Sequence, residues 1–122
     1  MPDMPESTLN LRIRKQNDVC IVEFLDRKIL EEHTINQIGE RLGEVMEDEA
    51  QPKLLLDFRN VEHLSSAALG MLITLNKQLG ERQGRLVLAN IHPQIYEVFK
   101  ITRLNKHLNI QSSTEDAIKA FA

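Results

Sequence analysis

Strand-like and helix-like hydrophobic patterns alternate along this chain, and this alternation constrains the fold more than any other feature. Apolar residues dominate three short runs, at 19–25, 53–58 and 85–89, which is typical of strands buried within a sheet. Between and after these runs, apolar residues recur every three or four positions, which predicts amphipathic helices. Strands that alternate with helices are joined by right-handed crossovers and pair mostly in parallel. We therefore predict an α/β fold with a mostly parallel central sheet.

The predicted order of elements is β-β-α-β-α-β-α-β-α, in a single domain. Residues 8–15 alternate between apolar and polar side chains, which predicts a half-buried strand. This strand forms a hairpin with 19–25, because residues 16–18 have the composition of a turn. Residues 1–7 are polar and contain prolines, so we expect a flexible arm there and a domain that spans 8–122.

Capping signals indicate where the later helices begin. Ser65 or Ser66 opens the second helix, because a serine side chain can accept a hydrogen bond from the first turn. Pro93 opens the third helix at its first position. A short strand is predicted at 107–110, and Ser113 begins the last helix with the spacing of a capping box.

Composition excludes several classes of function. With 122 residues, of which 42% are hydrophobic, the chain can bury a core without a metal or disulfide. Aromatic residues make up only 4% and the net charge is −3, which opposes nucleic-acid binding. No apolar run approaches the ~20 residues that cross a bilayer, and the N-terminus lacks the pattern of a signal peptide. We expect a cytoplasmic protein with no membrane partner.

Motifs for metal binding or catalysis are missing from the sequence. The four histidines are scattered, and none has a second His or Cys at the spacing of metal ligands. The glycines form no phosphate-binding loop, and no serine lies in a nucleophile elbow. We therefore expect a protein that is not an enzyme and that needs no cofactor.

Asp57 is the one carboxylate whose position suggests chemistry. It closes the strand at 53–58, and ligand sites of open α/β sheets lie beyond the carboxyl ends of strands. A receiver-type domain would place its phosphate-accepting aspartate there. That type also needs an early acidic pair and a lysine near its last strand, whereas this chain offers only Asp26 and has no lysine within 107–110. The simpler alternative is that Asp57 caps the turn that follows.

The segment at 57–71 carries the candidate site. A short loop, 58–64, leads from the buried strand into a helix that opens with two serines. The periodicity of that helix predicts a core stripe of Leu69, Leu72, Ile73, Asn76 and Leu79. The helix has a second apolar line, which consists of Ala68, Met71 and Leu75. Two predictions stay open for it: it packs under a neighbouring strand, or it forms a docking face on which Met71 is exposed.

Here the sequence resembles the STAS domain family, found in bacterial anti-sigma-factor antagonists and at the tails of sulphate transporters. The family pattern begins with an aliphatic strand that ends in Asp or Asn. A loop follows in which a Val precedes an aliphatic or aromatic residue by three positions, and then Asp-Ser-Ser-Gly-Leu-Gly opens a helix. The matching stretches are LLLD at 54–57, VEHL at 61–64, SSAALG at 65–70, GRLVL at 84–88 and ITRL at 101–104. The resemblance spans roughly residues 8–121 and implies the fold predicted above.

The chain departs from the family pattern at the usual phosphate acceptor. In the gapless register, anchored on Leu69 and Gly70, the family's aspartate falls on Ser65 and its first serine on Ser66. The second serine, which is the usual acceptor, falls on Ala67. The resemblance therefore implies a phosphorylation candidate at Ser66, with Ser65 second.

The resemblance implies a docking module, and the absence of ligand clusters together with a sufficient apolar core predicts a monomer or weak dimer. The leading hypothesis is an anti-sigma factor antagonist whose partner is an anti-sigma factor or a serine-kinase-type regulatory protein. One alternative is a structural STAS subunit of a transport or stress-sensing complex, and another is a receiver-like domain phosphorylated on Asp57. The expected partner contacts are Asp57, Asn60, His63, Ser65, Ser66, Ala67 and Met71.

Overall fold

The structure, a computed structural model, describes residues 10–47 and 49–121. Within them the strands are β1 (Leu11–Gln16), β2 (Val19–Phe24), β3 (Lys28–Ile29), β4 (Lys53–Asp57), β5 (His63–Leu64), β6 (Arg85–Ala89) and β7 (Asn109–Gln111). The helices are α1 (Glu32–Met46), α2 (Ser66–Glu81), α3 (Pro93–Ile101) and α4 (Thr114–Ala120). The predicted arm at 1–7 and the first two residues of the predicted first strand lie outside the described residues.

The main sheet has the strand order β1-β2-β4-β6-β7. β1 is antiparallel to β2, whereas β2, β4, β6 and β7 pair in parallel. The hairpin turns on two residues with positive φ, Asn17 at 54° and Asp18 at 67°, between the paired residues Gln16 and Val19. Two such residues form the tight turn whose twist matches that of paired strands. The predicted α/β fold with a mostly parallel sheet is confirmed.

β4 lies at the centre of the sheet and is covered on both faces. Its three leucines, Leu54, Leu55 and Leu56, are 0% exposed. Leu54 and Leu56 belong to the core beneath α1, α2 and α3, whereas Leu55 belongs to a second, smaller core beneath α4. Successive strand residues point to opposite faces, so a strand buried on both faces has to be apolar without interruption.

The direction of the crossovers explains why three helices share one face. From β2 through β4 and β6 to β7, each parallel strand is added on the same side of the one before it. Because crossovers are right-handed, α1, α2 and α3 all pack on the same face of the sheet. α2 therefore lies between α1 and α3, and α4 packs on the opposite face against β4, β6 and β7.

Two short elements differ from the sequence expectation. The loop predicted at 58–64 ends in a strand, because His63–Leu64 pairs in parallel with Lys28–Ile29. The last strand begins at Asn109 rather than at 107, because a 3-10 helix at Leu104–Lys106 continues into a turn. In that turn the amide of Leu108 donates to the Leu104 carbonyl at 2.9 Å, which places the Leu108 side chain in the core.

α2 ends in a tight reversal that brings Gly84 against Pro52. Gln83 takes the left-handed conformation, with φ 60°, and the amide of Gly84 donates to the Leu79 carbonyl at 2.7 Å. Both are features of a Schellman motif, in which a glycine usually takes the position of Gln83. Gly84 serves a different purpose, because a Cβ there would lie 2.5 Å from the Pro52 carbonyl oxygen.

We predict that Gly84→Ala lowers the free energy of unfolding by about 1–3 kcal/mol, since the backbone must shift to relieve the overlap. Gly43→Ala in α1 is the matched control, because a Cβ there meets nothing within 4 Å. That control should raise stability by about 0.5–1 kcal/mol through helix propensity. Urea denaturation measures both; an unchanged midpoint for Gly84→Ala would contradict the close approach.

Candidate functional site

A buried carboxylate organises the segment that leads to the candidate site. Asp57, at the carboxyl end of β4, is 1% exposed. It accepts hydrogen bonds from the Arg59 amide at 3.0 Å, from Arg59 Nε at 2.8 Å and from Asn90 Nδ2 at 2.9 Å. The hydrogen bond with Asp57, together with its charge, raises the pKa of the Arg59 guanidinium. Asp57 thus joins the end of β4 to the next turn and to the residue after β6.

Both arms of this network reach α4. Arg59 Nη2 donates to Thr114 Oγ1 at 3.2 Å, and Asn90 Nδ2 donates to the same oxygen at 2.9 Å. The carbonyl of Arg59 is 2.8 Å from His92 Nε2, just before α3. The turn after β4 is therefore held from three directions by polar side chains.

The next part of the loop is fixed to β2 and to the core. Asn60 Nδ2 donates to the Phe24 carbonyl at 3.1 Å and to Glu23 Oε2 at 2.9 Å. Phe58 is buried, with its ring centroid 5.0 Å from that of Phe24, and Val61 is buried as well. A loop with this many anchors presents a fixed surface, which lowers the entropy cost of binding.

Backbone pairing then positions the start of α2. The Arg27 carbonyl accepts from the amides of Glu62 at 2.7 Å and His63 at 3.1 Å. The amide of Ser65 donates to the Ile29 carbonyl at 3.2 Å. An exposed ion pair at 3.2 Å joins the side chains of Arg27 and Glu62. The β3–β5 pair therefore sets the point at which α2 leaves the sheet.

The two serines at the start of α2 differ in environment. Ser65 is the N-cap, as its side chain accepts from the Ala68 amide at 3.2 Å. This confirms one of the two predicted helix starts and assigns Ser65 a structural role. Ser66 and Ala67 occupy the first two helical positions, and both side chains are exposed.

Two grooves flank α2, and the predicted contact residues are divided between them. The groove toward α3 has a volume of about 380 Å³ and is lined by Lys28, Leu30, Glu62, His63, Leu64, Leu69, Gln94, Ile95 and Val98. The groove toward α1 has a volume of about 710 Å³, and Gly39, Gly43, Ala67, Gly70 and Met71 are among its lining residues. His63 thus lies on one side of α2, whereas Ala67 and Met71 lie on the other.

The outward face of α2 differs from the one predicted. Ala68 and Leu75, from the line predicted either to pack or to dock, are buried in the core, and Met71, expected to be exposed, is half-buried against it, so this line packs. Ile73, predicted as core, is instead 46% exposed. The helix is apolar on both sides of its core stripe, so periodicity alone could not determine which line faces the sheet.

The remaining predicted contacts differ in accessibility. Asn60 is half-buried and His63 is exposed, so both present atoms at the surface. Asp57 is 1% exposed, so its side chain presents no surface for contact. The Asp57 carboxylate already accepts three hydrogen bonds. Within the described ranges, no group of three or more His, Cys, Asp or Glu side chains could hold a metal ion. The geometry favours the turn-capping alternative for Asp57 over a receiver-like acceptor.

No helix in the described part of the chain combines the length and apolar character that crossing a membrane requires.

Comparisons with known proteins agree with this architecture. The model of the STAS domain family matches residues 10–117. BtrV of Bordetella bronchiseptica, an inferred anti-sigma factor antagonist, is 34% identical over 74 residues, which are 61% of this chain and 64% of BtrV. A STAS-domain containing protein of Pseudomonas aeruginosa is 31% identical over 58 residues, 48% of this chain and 57% of that protein. The matches thus span less than two thirds of both relatives.

Two further comparisons cover nearly the whole chain. The anti-sigma F factor antagonist of Paenibacillus polymyxa is 20% identical over 112 residues, 90% of this chain and 94% of that protein. The solved structure of an anti-sigma-factor antagonist (STAS) domain protein from Planctomyces limnophilus superposes with a TM-score of 0.80 at 23% identity, covering 92% of this chain and 97% of that one. This structural likeness concerns the fold.

We predict that Asp57→Asn lowers the free energy of unfolding by about 1–3 kcal/mol. The substitution replaces one carboxylate oxygen by an NH₂ group, which cannot accept the hydrogen bonds that Arg59 and Asn90 donate. Because the Arg59 side chain is 51% exposed, solvent can hydrate its charge in the variant. The loss of stability is therefore smaller than when one member of a fully buried ion pair is removed. Glu97→Gln is the control: Glu97 is exposed in an ion pair with Lys100, and its loss should change stability by less than about 0.5 kcal/mol. Equal urea midpoints for the two variants would contradict the role of Asp57.

Proposed function

The chain belongs to the STAS domain family, and from that premise we propose that it is an anti-sigma factor antagonist. In this role it docks onto a serine-kinase-type anti-sigma factor and so releases a sigma factor. The observation that carries the proposal is the rigid surface formed by the loop at 58–62, β5 and the first turn of α2. Relatives that are anti-sigma factor antagonists by name support it.

The geometry of this surface suits docking better than catalysis. The polar side chains around the loop bond to one another and to the backbone, as Asp57 does with Arg59 and Asn90. The outward side chains include His63, Ser66 and Ala67, and in the part of the chain that the structure describes no hydrogen bond joins His63 to the Ser66 hydroxyl, as a base–nucleophile pair would require. We propose that the domain works by binding alone, in the cytoplasm where sigma factors act.

Ser66 is the proposed site of regulation by phosphorylation. It is exposed at the first position of α2, whereas Ser65 is committed to the cap and Ala67 has no hydroxyl. A phosphate there would carry about −1.5 to −2 charges at neutral pH and would meet free amides at the helix N-terminus. The fold should tolerate the phosphate. Binding should not, since a dianion would have to be desolvated against the partner.

We predict that Ser66→Asp weakens binding to the anti-sigma factor by at least about tenfold, whereas Ser66→Ala binds like the wild type. Each serine-kinase-type anti-sigma factor of the source organism is co-expressed with the chain, and the affinity of the pair that forms is measured by calorimetry. Gln16→Glu is the charge control, because Gln16 is exposed on the edge strand β1 and pairs with Val19 at the start of β2, at the end of the sheet opposite to the loop after β4. It should leave the affinity unchanged.

The outcomes separate the two parts of the proposal. If no anti-sigma factor binds the wild-type chain, the proposed function is wrong. If one binds but Ser66→Asp binds equally well, the docking surface lies elsewhere. Incubation with that partner and ATP, followed by peptide mass mapping, tests whether Ser66 accepts phosphate. Phosphate at another residue, or no phosphate, would rule out regulation through Ser66.

A further inference from the structure

Large apolar side chains that remain exposed are concentrated beside the groove between α2 and α3. Leu30 is 48% exposed, Ile73 46%, Val98 42% and Ile101 79%. Leu30 and Val98 line the groove directly, together with Leu69. Ile73 follows Leu69 by four residues on α2, and Ile101 follows Val98 by three on α3, so each continues its line along the same side of its helix.

The two apolar lines run side by side. α2 connects β4 to β6 and α3 connects β6 to β7, and these strands are parallel on one sheet. Both helices therefore return antiparallel to the strands and lie roughly parallel to each other. The space between two such helices is a groove into which a third helix can place a row of side chains.

The far end of this surface is positively charged. Lys77 follows Ile73 by four residues on α2, and Arg103 and Lys106 lie in the turn after α3. Asn76 Nδ2 donates to the His107 carbonyl at 3.2 Å, which holds that turn against α2. Among the residues that the structure describes, no carboxylate lies within 4.0 Å of the charged nitrogens of these three cations.

The near end is also short of negative charge. Lys28 lines the groove, and the one acid that lines it, Glu62, is already paired with Arg27 at 3.2 Å. A partner that covered the apolar lines would therefore bring its flanking side chains close to unpaired positive charge. Acidic flanking residues would be attracted by this positive charge and would strengthen binding, whereas basic flanking residues would be repelled and would weaken it.

We propose that this surface binds an amphipathic helix of a partner protein whose apolar line is flanked by acidic side chains. The surface, named the α2–α3 face, consists of Leu30, Leu69, Ile73, Val98 and Ile101 with Lys77, Arg103 and Lys106 at its rim. The proposal rests on the proposed function as a docking module and specifies the chemistry of the partner segment.

Two other occupants fit this surface less well. A second copy paired about a two-fold axis would bring the cations of both rims together, because such an interface uses the same patch twice. An anionic membrane would be attracted by the rim, but a flat bilayer cannot fill a groove between two helices, and the chain as a whole carries a net charge of −3. An acidic amphipathic helix satisfies both the shape and the charge.

The test uses two synthetic 18-residue helical peptides with the same leucine line, one flanked by glutamates and the other by lysines. Each is titrated into the ¹⁵N-labelled full chain. The glutamate peptide should shift the amide signals of the α2–α3 face and bind at least about tenfold more tightly than the lysine peptide, a difference that shrinks in about 0.5 M salt. Ile101→Asp should abolish the shifts, whereas Leu25→Asp, at an exposed apolar residue outside the face, should not.

Several results would overturn this inference. In the peptide titration, these results are equal affinity for the two peptides, shifts confined to the groove between α1 and α2, or no shifts at millimolar peptide. Formation of a concentration-dependent dimer through this face would also contradict it, as would binding to anionic phospholipid vesicles instead of the peptide. If the chain captures an anti-sigma factor but fails the peptide test, the proposed function stands without this inference. If it binds the peptide but no anti-sigma factor, the α2–α3 face stands and the proposed function falls.

Discussion

The burial of the Asp57 carboxylate at the end of the central strand is the interaction on which the rest of the site depends. A carboxylate removed from water is stable only when donors replace its hydration, and here Arg59 and Asn90 supply them. These donors come from the loop after β4 and from the residue after β6. Their geometry therefore fixes the loop relative to the sheet, and the loop in turn leads to β5 and the first turn of α2.

The order of the strands determines what kind of surface this domain can offer. In doubly wound sheets, ligands bind where the strand order reverses and the loops diverge into a crevice. Here the parallel strands are added in one direction only, so α1, α2 and α3 form a continuous layer and the exposed features are grooves between helices. Grooves between helices suit the binding of another protein's helix, which is consistent with a domain that acts by docking.

The sequence predicted the element order because strand periodicity, helix periodicity and caps such as Ser65 are local signals. It could not predict which apolar line of α2 faces the sheet, since Leu69, Met71 and Ile73 all flank the core stripe and packing against neighbouring elements selects among them. The β3–β5 pair was missed because two-residue strands carry no periodicity. The partners of Asp57 were missed because Asn90 is 33 residues away and only the parallel pairing of β4 with β6 brings it close.

Hydrogen exchange of the amides, compared between the free chain and its complex with an anti-sigma factor, tests the central claim most directly. If the partner docks on the rigid loop and along α2, protection should increase at 58–70 and along the facing residues of α3, with no change in α4. Increased protection confined to α4 or to the outer edge of β1 would contradict the account, because those elements lie away from the α2 surface.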